Sequence, residues 1–331
     1  MNCPVCDGIM QAWIAMPIDP KKDELMAFGD IVRCESCGLG RSAVMPRPEE
    51  VIRFYDLASY YTHGQSHMRP VAPKLMDRIL VRLAWQVDRA RPFDAAALAK
   101  QLPAGGTVLD LGCGDGEKLE EFRDRGFAVL GVDPDPGSCA FAGAKGLKVL
   151  PGTAEEPPAE LANLHFDLVI MSHALEHCTD PARALTNVRR LMAPGGLAYI
   201  EVPNARCHHF ELFRQCSEMF DAPRHLWFFT PEALQALAVK TGFSVDRWHY
   251  NGFTRLFTPT WRGWECQIFD RLAKRGLARD AVRHTRWRAF GLLARSAFAP
   301  ARRKYDSVGI LASPGPLPQD APASARIQRA A

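Results

Sequence analysis

Apolar residues in this chain recur in two rhythms, and the change from one to the other divides it. Between Lys74 and Arg91, the positions Leu75, Ile79, Leu80, Leu83 and Val87 follow helical spacing and predict a helix. A shorter helix is expected over Phe93 to Gln101, ended by Pro103-Ala-Gly-Gly106. From Thr107 onward, short apolar runs alternate with amphipathic stretches. TVLDLG, FAVLGVD, LKVL, FDLVIMS and GLAYIEV read as strands. Helices fall between them: one from Glu117 to a stop at Gly126, others around Ser138–Lys145 and Pro181–Met192. Thr230 before Pro231 is a cap and first turn for a further helix that stops at Gly242. FSVDRWHY and SVGILAS supply a sixth and a seventh strand. Such alternation predicts an α/β fold with a parallel sheet covered by helices on both faces.

With 331 residues, 47% of them hydrophobic, the chain can bury one large core and carry an appendage. The expected division is a small unit over 1–45, a linker and helices over 46–103, and the α/β domain over 104–313. A tail over 314–331, rich in Pro, Ala and Ser, is expected to be disordered. The net charge of +4 is unevenly placed, because residues 255–304 hold 13 Lys and Arg against 3 Asp and Glu. No apolar run is long enough to cross a bilayer, and MNCPVCDG does not read as a signal peptide. The expectation is a cytoplasmic protein whose thiols stay reduced.

In that setting, paired cysteines point to metal. Cys3-Pro-Val-Cys6 and Cys34-Glu-Ser-Cys37 can each form a knuckle with two thiolates aimed at one ion, and Asp7-Gly8 and Gly38 supply the turns. Four thiolates close a tetrahedral shell, so Zn2+ held by Cys3, Cys6, Cys34 and Cys37 would be structural.

VLDLGCGDGE places a glycine loop between a strand and a helix, where backbone N–H groups face a ligand. A dinucleotide loop would want a third glycine where Glu117 stands, and a pyrophosphate would be repelled by Asp110 and Asp115. A ligand with a positive end suits these acids better, and S-adenosylmethionine carries both an ammonium and a sulfonium. Asp133, closing the second strand, is placed to accept from two ribose hydroxyls.

These features resemble the class I S-adenosylmethionine-dependent methyltransferases over roughly Val108 to Ser313. VLDLGCGDGE is similar to the family's first motif and GVDPDP to its ribose-binding acid. FDLVIMSHALEHCTDP and LMAPGGLAYIEVPN are similar to its fourth- and fifth-strand motifs. The resemblance implies a Rossmann-like seven-stranded sheet of order 3-2-1-4-5-7-6 with the last strand antiparallel. It also implies a cofactor site formed by Asp110, Gly112, Cys113, Gly114, Asp133, Pro134, Thr153, Ala154, Ser172 and His173. One departure stands out: Gly152-Thr153-Ala154 replaces the common Gly-Asp-Ala, leaving Thr153 or Glu155 to meet the adenine. The cysteine pairs resemble zinc ribbons found both on nucleic-acid enzymes and on some small-molecule methyltransferases.

Methyl transfer to an oxygen with a high pKa calls for a base, and histidine is the usual one. DAPRHLWFFTPEAL resembles a segment of methyltransferases acting on saccharides, quinone precursors and other metabolites, in which a histidine lies near the acceptor. His225 is therefore the first candidate base and His173 the second. His177 is read as a capping residue, and His208 and His209 as exposed. Tyr60, Tyr61 and His63 resemble a stretch that precedes the core in zinc-ribbon members and could fold over donor or acceptor. The long connection over 204–229 is read as a wall or lid. The basic segment 255–304 is expected to be a helical insertion before the last strand, with peripheral contact to the inner face of a membrane as a second use and RNA as a third. The expected function is methylation of a hydroxyl, or a carbon, of a small molecule such as a sugar or glycan. An RNA methyltransferase and a non-catalytic S-adenosylmethionine-binding protein are the alternatives.

Overall fold

The computed structural model describes residues 1–26, 28–55, 67–90 and 92–316. Tyr60, Tyr61, His63 and nearly all of the expected tail lie outside the described residues. Seven strands form the main sheet: β1 (Thr107–Leu111), β2 (Ala128–Asp133), β3 (Val149–Pro151), β4 (Phe166–Ser172), β5 (Met192–Pro203), β6 (Phe243–Asn251) and β7 (Ser307–Pro314). Their spatial order is β3-β2-β1-β4-β5-β7-β6, and β7 runs antiparallel to both β5 and β6. The remaining neighbours pair in parallel. This is the order implied by the resemblance.

The middle strands read as continuous apolar runs because both faces of the sheet are covered. On β4, Val169 and Met171 pack with Leu109, Ile200 and Val202 on one side. Leu168 and Ile170, pointing the other way, pack with Val108, Phe122 and Tyr199. The connecting helices begin on side-chain caps, of which the sequence reading identified Thr230. Asp135 accepts from the amides of Gly137 and Ser138, Asp180 from those of Ala182 and Arg183, and Thr230 from that of Ala233.

The N-terminal unit is a second, four-stranded sheet of Met10–Ala15, Asp30–Cys34, Gly40–Ser42 and Trp227–Phe228. Its fourth strand comes from the 204–229 connection, which is not a simple lid. Arg224, Leu226, Phe228 and Phe229 are fully or almost fully buried, so this connection is a packed wall between the two sheets.

Between β6 and β7, residues 255–304 fold as the helices Pro259–Lys274, Arg286–Ser296 and Ala301–Lys304. Much of their charge is neutralised within the molecule. Arg262 and Arg286 share Asp77, Arg255 pairs with Asp306, Arg283 with Asp270, and Arg303 with Glu211. Among the described residues no helix is long and apolar enough to cross a membrane.

His209 departs from its expected exposure. It is buried beside Glu265, whose carboxylate accepts from His209 Nε2 at 3.1 Å, the Trp261 indole at 2.9 Å, the Glu218 amide at 3.0 Å, and His284. Four donors satisfy one buried anion, which makes this cluster a structural tie between the wall and the inserted helices.

Candidate active site

The glycine loop leaves β1 through conformations that side chains resist. Gly112 sits at φ +80°, and a Cβ there would lie 2.6 Å from the Ala174 Cβ, so the loop packs backbone-first against the end of β4. Its amide and that of Cys113 donate to the Val132 carbonyl at 2.8 and 3.2 Å. Gly114, also left-handed, donates its amide to Asp133 Oδ2 at 2.9 Å, while Asp135 donates to Oδ1 at 2.9 Å. Each Asp133 oxygen thereby keeps acceptor capacity for a diol while its position is fixed.

Asp110 is 3% exposed, and its Oδ1 receives no hydrogen bond. Burial raises its pKa to about 7; Asp133 and Asp115 add to the shift and Lys118 opposes it. An unsatisfied acid oxygen beside a loop that excludes Cβ atoms suits the positive end of a cationic ligand. Around the rim, Pro134 is exposed, Ala154 is buried, and Ser172 ends β4 half-buried. The Thr153 hydroxyl accepts from the Glu156 amide at 3.0 Å. Glu155 is committed elsewhere, accepting from the Thr179 hydroxyl at 2.6 Å and the Asp180 amide at 2.7 Å.

Just beyond β4 lies a cluster that the sequence reading only half identified. Glu176 is fully buried, and its Oε2 receives no hydrogen bond. Three imidazoles surround it: His173 Nδ1 at 3.3 Å, His177 Nε2 at 3.9 Å and His225 Nε2 at 3.9 Å. Burial alone would raise the pKa of Glu176, but the neighbouring imidazoles, led by the hydrogen bond from His173, hold it below the usual carboxylate value. His173 lies between Glu176 and Glu201, 3.3 Å from each. Burial opposes its charge, yet the two carboxylates lift its pKa to about 9. A ring lifted to about 9 keeps its proton at neutral pH, which favours His225 over His173 as the proton acceptor.

His225 shows the opposite behaviour. It is 7% exposed, and burial, assisted by the neighbouring His177 ring 4.7 Å away, lowers its pKa to about 4. Its Nδ1–H donates to the Met219 carbonyl at 3.0 Å, so the Nε2 lone pair faces Glu176. His177, expected as a cap, instead contacts the Tyr55 hydroxyl at 2.8 Å and the Arg224 carbonyl at 3.0 Å. Glu176, His177 and His225 have ligand atoms within 4.8 Å of one another, a spacing that a divalent cation could also occupy.

At the N-terminus the thiols converge. Cys3 and Cys37 Sγ are 3.6 Å apart, Cys6 and Cys34 Sγ are 3.4 Å apart, and all four lie within 4.8 Å. A tetrahedral ion at about 2.3 Å from each sulfur would set them about 3.8 Å apart. Asp7 and Gly38 take the left-handed turns, and a Cβ on Gly8 would meet the Cys34 sulfur at 2.9 Å.

Comparison with known proteins decides the family. A methyltransferase domain family matches residues 85–247. The ubiquinone biosynthesis O-methyltransferase of Ruegeria sp. (strain TM1040) is 30% identical over 239 residues, covering 68% of this chain and 91% of that protein. The chain belongs to the class I S-adenosylmethionine-dependent methyltransferases. A second ubiquinone biosynthesis O-methyltransferase, from Cereibacter sphaeroides (strain ATCC 17025), is 31% identical over 241 residues, with coverage of 68% and 91%. A solved S-adenosylmethionine-dependent methyltransferase from Geobacter sulfurreducens, in complex with S-adenosyl-L-homocysteine, is 19% identical with a TM-score of 0.41, covering 71% of this chain and 98% of that one.

In this methyltransferase the cofactor loop and the histidine cluster meet where Gly112 touches Ala174, two residues before Glu176. The sequence reading missed Glu176 and Tyr55. Glu176 was open to detection, since it stands beside His177 in the short turn Leu175–His177 that follows the fourth strand. Tyr55 was not, because only the fold brings it to His177.

Proposed function

We propose that this methyltransferase transfers the methyl group of S-adenosylmethionine to a hydroxyl oxygen of a small ring-bearing acceptor, with His225 and Glu176 receiving the hydroxyl proton. The observation that carries this is the unfilled gap between two acceptors. The His225 Nε2 lone pair lies 3.9 Å from Glu176 Oε1, and the second Glu176 oxygen, Oε2, is buried and receives no hydrogen bond. A hydroxyl offers the hydrogen that both lack, and in giving it up becomes the nucleophile. Two acceptor rings are compatible with this gap. The names of the relatives favour a quinone precursor, whereas a sugar matches the polar wall of His173, Glu176 and Glu201. The four cysteines fit a structural Zn2+, as their sulfur spacing supports.

A second use of the same gap is favoured by the same orphaned oxygen: a divalent cation held by Glu176, His177 and His225. Such an ion would lower the pKa of a bound hydroxyl. In either case His225→Ala should cut kcat by about 10²–10⁴-fold while cofactor affinity holds, as expected for loss of a proton acceptor. Undiminished turnover in that variant would remove His225 from the reaction. Activity that survives exhaustive chelation would exclude the cation.

A further inference from the structure

The segment that presents His225 is gripped on both sides by the N-terminal unit. Immediately before it, Arg224 is fully buried. Its Nη1 and Nη2 donate to the two oxygens of Asp19 at 2.8 and 2.7 Å, its Nε to Asp221 at 2.9 Å, and its Nη1 also to the Phe54 carbonyl at 3.1 Å. Lys21, two residues beyond Asp19, reaches Asp221 from the other side at 2.6 Å with its side chain almost wholly buried. Immediately after His225, the Leu226 carbonyl accepts from the Ser42 amide at 2.9 Å. Trp227 and Phe228 then pair with Arg41 and Gly40. The Thr230 hydroxyl closes the series by donating at 2.7 Å to the carbonyl of Cys37, one of the four clustered thiols.

The cofactor loop has a different support. Gly112, Gly114 and Asp133 are held by Val132, Asp135 and one another, and a side chain on Gly112 would meet Ala174 just after β4. The wall is also tied to the turn after β4, where the Leu226 amide donates to the Glu176 carbonyl at 2.8 Å and the Trp227 indole to the Cys178 carbonyl at 2.7 Å, but the buried carboxylate that grips both Nη atoms of Arg224 is Asp19 of the N-terminal unit. We propose that the N-terminal unit, anchored by its four-cysteine centre, is the frame that positions His225, with Asp19 as a positioning residue acting through Arg224. Loading of the cysteine centre then governs turnover and leaves cofactor affinity alone. This rests on the reading that His225 faces the acceptor.

The test uses the full chain. Asp19→Asn removes the charge facing Arg224, Asp19→Glu keeps it, and His225→Ala is the reference. Turnover, acceptor KM, cofactor affinity and the His225 ring signals by NMR are measured, with the buried His284 as an internal control. Asp19→Asn should lower kcat by roughly 10–100-fold, the scale of an ångström-level misplacement. Cofactor affinity and the His284 signals should hold, the His225 signals should shift, and Asp19→Glu should restore part of the rate. Cys37→Ser, which opens the thiol centre without touching Glu176, His177 or His225, gives a second route: turnover should fall while cofactor affinity stays constant. Equal loss of cofactor affinity and turnover, by either route, would show a general stabiliser and overturn the proposal. So would His225→Ala losing activity while Asp19→Asn keeps it. If His225→Ala itself retains full turnover, the acceptor reading fails first.

Discussion

Asp110 and His225 show how burial, more than any single neighbour, sets two residues apart from their free chemistry. Burial raises Asp110 to about 7 and lowers His225 to about 4, in each case by disfavouring the charged form. For Asp110 this has a consequence for cofactor binding. A cationic ligand favours the ionised acid, so binding expels a proton and affinity must rise with pH through the pKa of the free site. S-adenosylmethionine affinity measured by calorimetry should fall by up to about ten-fold per unit as the pH drops from about 7. Asp110→Asn should flatten this dependence; an unchanged slope in the variant would assign it to another group. The acids of the glycine loop were legible from the sequence because their positions at strand ends follow from the α/β rhythm. The charge of His173 was not. It depends on Glu201 arriving from β5 and Glu176 folding back, a juxtaposition that no local pattern encodes.

At the level of elements, the strand–helix alternation carried through because each piece had a local cause: an apolar run, a cap, a glycine stop. The strand Trp227–Phe228 had none. Two residues show no period, and their partner Gly40–Ser42 belongs to the other end of the chain. The inserted helices were legible as amphipathic, yet the fate of their arginines was decided by distant acids. Asp77, 2% exposed on the helix Leu75–Val87, accepts from Arg286 at 2.9 Å and from Arg262, joining that helix to two inserted ones. Asp77→Ala would leave the buried Arg262 charge without its partner and should cost about 3–5 kcal/mol in urea unfolding. A loss under about 1 kcal/mol would mean that water already screens the pair.

Across the whole molecule, two sheets share one wall. The seven-stranded sheet carries the loop of Gly112, Gly114 and Asp133, and the N-terminal unit holds Arg224 through Asp19 and pairs Arg41 and Gly40 with Trp227 and Phe228. The cluster of Glu176, His177 and His225 lies at the junction, which accounts for its composition: one histidine from the wall, the other two residues from the turn after β4. The central claim is donor-dependent methylation of a hydroxyl at that junction. It is tested most directly by incubating the protein with methyl-labelled S-adenosylmethionine and a panel of ring-bearing phenols and sugars, alongside RNA, and locating the label by NMR. The account predicts label on an acceptor oxygen, abolished in Asp133→Ala with loss of cofactor binding and strongly reduced in His225→Ala. Label found only in RNA, or full transfer by Asp133→Ala, would contradict it.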